Sequence, residues 1–254
     1  MKRLTVFLIS ICTILCFTVG CGVEKKTEGP KVLKVGTEVF FPPFAFRDPG
    51  TKEITGFDMD LIRAIGKKLN MQVVLLDMNF EALLPAVKRG NLNAAIAGIT
   101  ITPDRQKIVD MSDPYYESGL SIVVRKGEEA KCKTPEELKG KTVAVQSGTT
   151  GEEKAKQLAG ENVLSFKTSE ETFQALKDKK AEAIVIDKPV ARYLIRKQFP
   201  DAAVAVDAFA TESYGIVMRH HGDLTPKINK ALAELKSSGE YDKIYEKWFG
   251  KDTK

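Results

Sequence analysis

From Lys31 onward the chain alternates short apolar runs with stretches whose apolar residues recur every three to four positions. Residues 32–37 (VLKVGT) read as a strand, 57–69 as an amphipathic helix and 72–76 as the next strand. A helix over 81–89 and a strand over 94–97 (AAIA) follow, with Gly90 and Asn91 as the turn between them. The same order then recurs: strand 142–146, helix 151–159, strand 163–166, helix 170–177 and strand 183–186. Such alternation is the grammar of an open α/β sheet, and two units of similar size predict two lobes. Residues 120–125 (LSIVVR) would carry the chain from one lobe to the other and 214–218 (YGIVM) would bring it back, two strands forming a hinge. The alternative is one continuous sheet of about ten strands. An amphipathic helix over 226–236, with Ile228, Leu232 and Leu235 on one face, and helical periodicity over 241–248 close the pattern.

Ahead of this body, Lys2 and Arg3 precede an apolar run over 4–19, then Gly20, Cys21 and a polar stretch. The run falls short of the roughly 20 apolar residues a membrane span wants and sits where the core of a cleaved signal belongs. Residues 1–20 are therefore expected to be a secretory signal cut before a lipid-bearing Cys21, although Thr18 stands where such sites usually carry Leu. Residues 21–30 lack apolar periodicity and read as a flexible tether. These features predict an extracytoplasmic protein held at the cell membrane.

Removing the signal takes two of the 39 basic residues and leaves 37 against 34 acidic ones, an even balance that argues against a nucleic-acid partner. Cys12 and Cys16 leave with the signal, so Cys132 is alone in the body and no disulfide framework exists. With His220 and His221 the only histidines and no ligand spacing around them, no metal site is expected.

Six segments in order carry a resemblance: GTEVFFPPFAF (36–46), GFDMDLIRAIGKKL (56–69), LLPAVKRGNLNAAIAGITITPDR (83–105), VDMSDPYY (109–116), GKTVAVQSGTTGE (140–152) and GEYDKIYEKWFG (239–250). Together they resemble the family 3 extracellular solute-binding proteins, the polar amino-acid receptors of bacterial ABC importers. The resemblance implies an α/β, two-lobed periplasmic-binding-protein fold of type II. Lobe 1 would hold residues 31–119 and 214–254, and lobe 2 residues 120–213 with the hinge strands. It also implies a monomer that binds a free L-amino acid, hands it to an ABC permease, catalyses nothing and needs no cofactor.

An amino acid presents a carboxylate, an ammonium and a side chain, and a closed receptor must satisfy all three. The resemblance assigns the carboxylate to Arg105, whose guanidinium can hold both oxygens, together with backbone groups at Gly98 and Thr100. From the opposite lobe, Thr149 and Thr150 precede a helix whose unpaired N–H groups favour an anion; Thr150 with Glu153 also fits a capping box. Asp187, at the C-terminal end of the strand AIVI, is implied to pair the ammonium, with an N-cap role as the plainer reading. Phe41 and Phe80 match the positions that sandwich the ligand's side chain, while Phe44 is expected to pack in the core.

Specificity rests on Glu38, Asp58 and Gln146. Two carboxylates near the side-chain end favour a cationic tip, although Asp58 is also a natural N-cap for a helix over 59–69. Gln146 stands where the glutamine receptor has Lys, and a neutral residue removes that repulsion. The expected ligand is thus a basic amino acid, arginine, lysine or histidine, with glutamine as the alternative. A rival from another class is a cyclohexadienyl dehydratase, which shares the fold and would need Glu38 as general acid.

Overall fold

The structure, a computed structural model, describes residues 31–251. The expected signal, the lipid-bearing Cys21 and the tether lie outside the described residues. Alternation decides the first strand: in Lys31–Thr37 the side chains of Leu33 and Val35 are buried while Val32 and Lys34 face out. This strand pairs in parallel with Met71–Asp77 on one side and Ala94–Ala95 on the other. Parallel neighbours need a crossover, supplied by the helix Phe57–Lys68, whose Phe57, Leu61, Ile62 and Ile65 form one buried stripe. Burying these four side chains contributes roughly 6–12 kcal/mol before the entropy of ordering them is subtracted. Asp58 and Asp60 in its first turn and Lys67 and Lys68 in its last suit the helix dipole. The helix Phe80–Lys88 makes the second crossover. Val217–Met218 then inserts antiparallel between Ala94–Ala95 and Asp110–Met111 to complete a five-stranded sheet.

The second five-stranded sheet runs in the order Val163–Phe166, Val143–Gln146, Ala183–Asp187, Tyr116–Arg125, Ala202–Tyr214. Its first three strands are parallel, joined through the helices Thr150–Ala159 and Ser169–Lys177, and the last two are antiparallel additions. Tyr116–Arg125 and Ala202–Tyr214 are also the two strands that join this sheet to the first. They approach closely at Gly119, where a Cβ would lie 2.5 Å from the Ala210 carbonyl oxygen. A small sheet of Phe40–Phe41, Ala45–Arg47 and Ile54–Thr55 sits beside the first lobe. Phe44 packs in the core as expected, edge-on against Phe57, Tyr116 and Tyr214.

Three elements depart from the sequence reading. The returning strand was expected over 214–218, but the chain returns along Ala202–Tyr214, and Val217–Met218 already belongs to the first sheet. Gly215 breaks the run: its N–H bonds to the Ile99 carbonyl and its Cα presses on Ile101, where a Cβ would come within 2.8 Å of the side chain. The outgoing strand begins at Tyr116 rather than 120. Asp58 does not cap its helix, which starts at Phe57 after Gly56; its carboxylate points inward instead.

Candidate functional site

Ligands of open α/β sheets bind beyond the C-terminal ends of the strands. In the first lobe those ends deliver Glu38, after Lys31–Thr37, and Gly98 and Thr100, after Ala94–Ala95. In the second they deliver Gln146 and Asp187. The two sets face each other across a closed cleft. Arg105 Nη2 donates to the Gly148 carbonyl at 3.1 Å, and the Thr100 and Thr150 hydroxyl oxygens lie 3.4 Å apart.

Arg105 owes its position to a short helix, Pro103–Gln106, in which Thr102 Oγ1 accepts the Arg105 N–H at 3.2 Å. Its Nη1 donates to the Thr100 carbonyl at 2.8 Å, and the guanidinium carbon lies 5.7 Å from the centre of the Phe80 ring. Burial works against its charge, while Glu153, Glu212 and Asp187 favour it. With its donors fixed on two carbonyls and one face on an aromatic ring, the guanidinium is held in the cleft rather than left on the surface beside Asp104.

Gly98 is left-handed at φ 56°, and a Cβ there would meet the Phe41 ring at 2.3 Å, so the backbone can lie on that ring only as glycine. Its N–H donates to Asp58 Oδ2 at 2.9 Å, and the Tyr115 hydroxyl donates to the same oxygen at 3.1 Å. Asp58 therefore does not share the cleft face with Glu38. It is 0% exposed and braces Gly98 from behind, and burial raises its pKa to about 7.

Glu38 is 2% exposed. Its Oε1 accepts the Phe40 N–H at 3.1 Å, Gln146 donates to the carboxylate from the other lobe, and Oε2 has no hydrogen-bond partner among the described residues. Burial pushes its pKa up to about 8, helped by the negative charges of Asp77 and Glu170. The Gln146 amide is oriented by its neighbours: Ser169 Oγ donates to its Oε1 at 3.0 Å, and Nε2 donates to the Lys167 carbonyl at 3.0 Å. One end of the cleft thus holds a buried carboxyl group with no cation among the described residues that bond it.

At the helix start in the second lobe the cap lies one residue earlier than expected. Thr149, not Thr150, caps Thr150–Ala159: its Oγ1 accepts the Glu152 N–H at 3.1 Å and donates to the Gln146 carbonyl at 2.7 Å. Glu152, in place of Glu153, reaches back to the Gly148 N–H at 2.7 Å. The Thr149 hydroxyl is thereby committed to the turn, whereas that of Thr150 faces the cleft.

Asp187 occupies the N-cap position of the helix Lys188–Lys197 but makes no capping bond through its side chain. It accepts a hydrogen bond from the Tyr214 hydroxyl instead. Burial and the nearby Glu212 both raise its pKa, and burial raises that of Glu212 as well. Glu212 was missed in the sequence. Its Oε2 accepts from Thr100 Oγ1 at 3.1 Å, and its carboxylate also bonds Thr150, so one side chain on the returning strand ties both lobes. Glu212 and Tyr214 stand two apart in TESYGI, and the period of a strand would have placed both on one face had the strand been read.

Residues 33–251 match the family described as bacterial extracellular solute-binding proteins, family 3. The arginine-binding extracellular protein ArtP of Bacillus subtilis (strain 168) is 34% identical over 258 residues, covering 98% of this chain and 98% of that protein. The L-cystine-binding protein TcyJ of Escherichia coli (strain K12) is 32% identical over 233 residues, covering 91% and 87%. Among solved structures, an ancestral arginine-binding protein bound to arginine is similar with a TM-score of 0.83 and 44% identity, over 88% of this chain and 100% of that one. With a two-lobed α/β fold and strand ends that meet across a cleft, the chain belongs to the family 3 bacterial extracellular solute-binding proteins.

Proposed function

We propose that this protein is an extracytoplasmic receptor that captures a basic L-amino acid, arginine, lysine or histidine, by lobe closure and delivers it to an ABC permease. Residues 31–119 and 214–254 form one lobe in this reading and 120–213 the other, and Cys21 anchors a monomer to the membrane through lipid. Arg105 holds the ligand carboxylate, with the Gly98 and Thr100 backbone and the Thr150 hydroxyl beside it. Asp187, with Glu212 near, faces the ammonium; Phe41 and Phe80 flank the side-chain stem; Glu38 receives its tip, and Gln146 orients Glu38.

The observation that carries the basic specificity is Glu38. An ionised carboxylate buried without a cation costs several kcal/mol, and a guanidinium or ammonium tip removes that cost at an oxygen that otherwise has no partner. ArtP supports the arginine reading by its name, whereas TcyJ shows that family membership alone leaves the ligand open. The test is a thermal-shift screen, after unfolding and refolding to strip bound ligand, against the twenty amino acids, ornithine, cystine and prephenate. A large shift confined to basic amino acids is the expected result. Stabilisation by glutamine or cystine alone would overturn the specificity, and turnover of prephenate to phenylpyruvate would overturn the receptor reading.

A further inference from the structure

The side of the hinge away from the cleft carries a second cavity. Three phenol rings lead to it in a row: Tyr214 stacks on Tyr116 at 5.7 Å and 20°, and Tyr116 on Tyr245 at 6.0 Å and 24°. Tyr214 holds Asp187 at the cleft end of this row, while Tyr116 and Tyr245 line a groove of about 570 Å³ at the other end. Its walls come from the start of the outgoing strand, from the helix Lys188–Lys197 and from the C-terminal helix Glu240–Phe249.

The chemistry of the groove is the reverse of that at Glu38. Lys188, Arg192 and Arg196 recur every four residues and so share one helix face, all three lining the groove. Lys188 and Arg192 share a single carboxylate, Asp207, at 3.2 and 2.7 Å, and Arg196 has no ion pair among the described residues. Glu117 is the acidic side chain in the lining, and the Ser213 hydroxyl donates to it at 2.8 Å. Flat walls are provided by Tyr193, Tyr245 and Trp248. A concave site of this volume, with surplus positive charge on one wall and aromatic plates on the others, matches small-molecule sites in size and make-up.

We propose that this groove is a second binding site, for a planar organic anion: an aromatic carboxylate whose ring lies between the aromatic walls and whose charge meets Arg192 and Arg196. Because the groove is walled by both lobes and lies across the hinge strands from the cleft, opening the cleft narrows it. An occupant therefore favours closure and raises affinity for the cleft ligand, and the effect is reciprocal. This coupling rests on the lobe-closure reading; the site itself does not.

Trp248 is the chain's only tryptophan, so its fluorescence reports on the groove. The purified chain is titrated with 3-phenylpropionate, with 3-phenylpropanol as the uncharged match and propionate as the match without a ring. A saturable change is expected with 3-phenylpropionate at concentrations about tenfold below either control, and Arg196→Gln, a change at an exposed side chain, is expected to weaken it about tenfold with arginine binding unaltered. Equal response to 3-phenylpropanol, no saturable response, or displacement by arginine would each overturn the site. Arginine affinity measured with 3-phenylpropionate present should rise about threefold or more. An unchanged value would overturn the coupling. A chain that binds 3-phenylpropionate and not arginine would keep the groove and lose the proposed cleft ligand.

Discussion

The Tyr214 hydroxyl donates a hydrogen bond to the Asp187 carboxylate, joining the end of the returning strand to the strand end proposed to meet the ligand's ammonium. The same oxygen lies 2.9 Å from Ser118 Oγ on the outgoing strand, so Asp187 is positioned by both chain crossings. Removing the carboxylate should leave an ammonium unpaired in a closed cleft: Asp187→Ala is expected to weaken binding by more than about a hundredfold. Tyr214→Phe keeps the ring packing and deletes one bond to a charged group, which should weaken binding roughly tenfold. Calorimetric titration, with circular dichroism to confirm folding, checks both, and wild-type affinity in Asp187→Ala would sink the assignment.

Arg105→Ala should cost at least as much, since it removes the charge proposed to hold the ligand carboxylate: more than about a hundredfold. Arg105→Lys keeps the charge but cannot reach the Thr100 and Gly148 carbonyls while presenting a planar fork, and should recover only part of the loss.

Glu38 predicts a pH dependence with a definite sign. Its pKa is about 8 in the fold against an ordinary 4.5, so between these values the folded chain holds a proton that the unfolded chain has released. Stability from this group is unaffected below pH 4.5, falls as pH rises through the window and levels off above 8. Asp58, raised from 3.8 to about 7, adds a fall of the same sign. Urea midpoints measured from pH 5 to 9 should show the decline, and Glu38→Gln should flatten part of it. A cationic ligand favours the charged carboxylate, so its affinity should rise with pH over the same window with release of a proton. Calorimetry in buffers of different ionisation enthalpy measures that proton; Glu38→Gln should remove it and leave only what Asp187 releases on meeting the ammonium.

Gly98→Ala places a methyl group 2.3 Å from the Phe41 ring on a left-handed backbone. The ring or the loop must move, costing about 1–3 kcal/mol of stability and disturbing the surface on which the ligand stem is proposed to lie. Thermal unfolding and ligand titration should both register it; an unchanged affinity would show that Phe41 does not form that wall.

Glu212→Ala removes the acceptor shared by Thr100 and Thr150. Affinity should fall about tenfold through loss of closed-state contacts. Small-angle scattering with saturating ligand should still reach the closed dimensions, whereas at low ligand the variant should remain more expanded than the wild type.

Much of this architecture was legible because burial enforces periodicity. Leu33 and Val35 alternate with exposed neighbours, and Phe57, Leu61, Ile62 and Ile65 recur at helical spacing, so both elements were placed almost to the residue. Ala202–Tyr214 was not, because it lies at the edge of its sheet, is only partly buried over most of its length and is broken by shifts of register around Val206 and Ala210. Missing that strand concealed Glu212. Asp58 and Thr149 were misplaced for another reason: local sequence fixes a carboxylate or hydroxyl near a helix start, but its partner is chosen in three dimensions. Asp58 turns to the distant Gly98 N–H, and Thr149 takes the cap that Thr150 could equally have made.

The insertion of Val217–Met218 between Ala94–Ala95 and Asp110–Met111 imposes an order on how the chain assembles. A polypeptide emerging amino end first presents nearly all of the first sheet early, yet that sheet keeps a gap inside its edge strand Asp110–Met111 until residue 218 has arrived. The second sheet is drawn entirely from residues 116–214 and closes sooner. The part of the molecule made first is therefore finished last, and during its passage out of the cytoplasm the strands on either side of the gap have their backbone edges open to helpers or to mispairing.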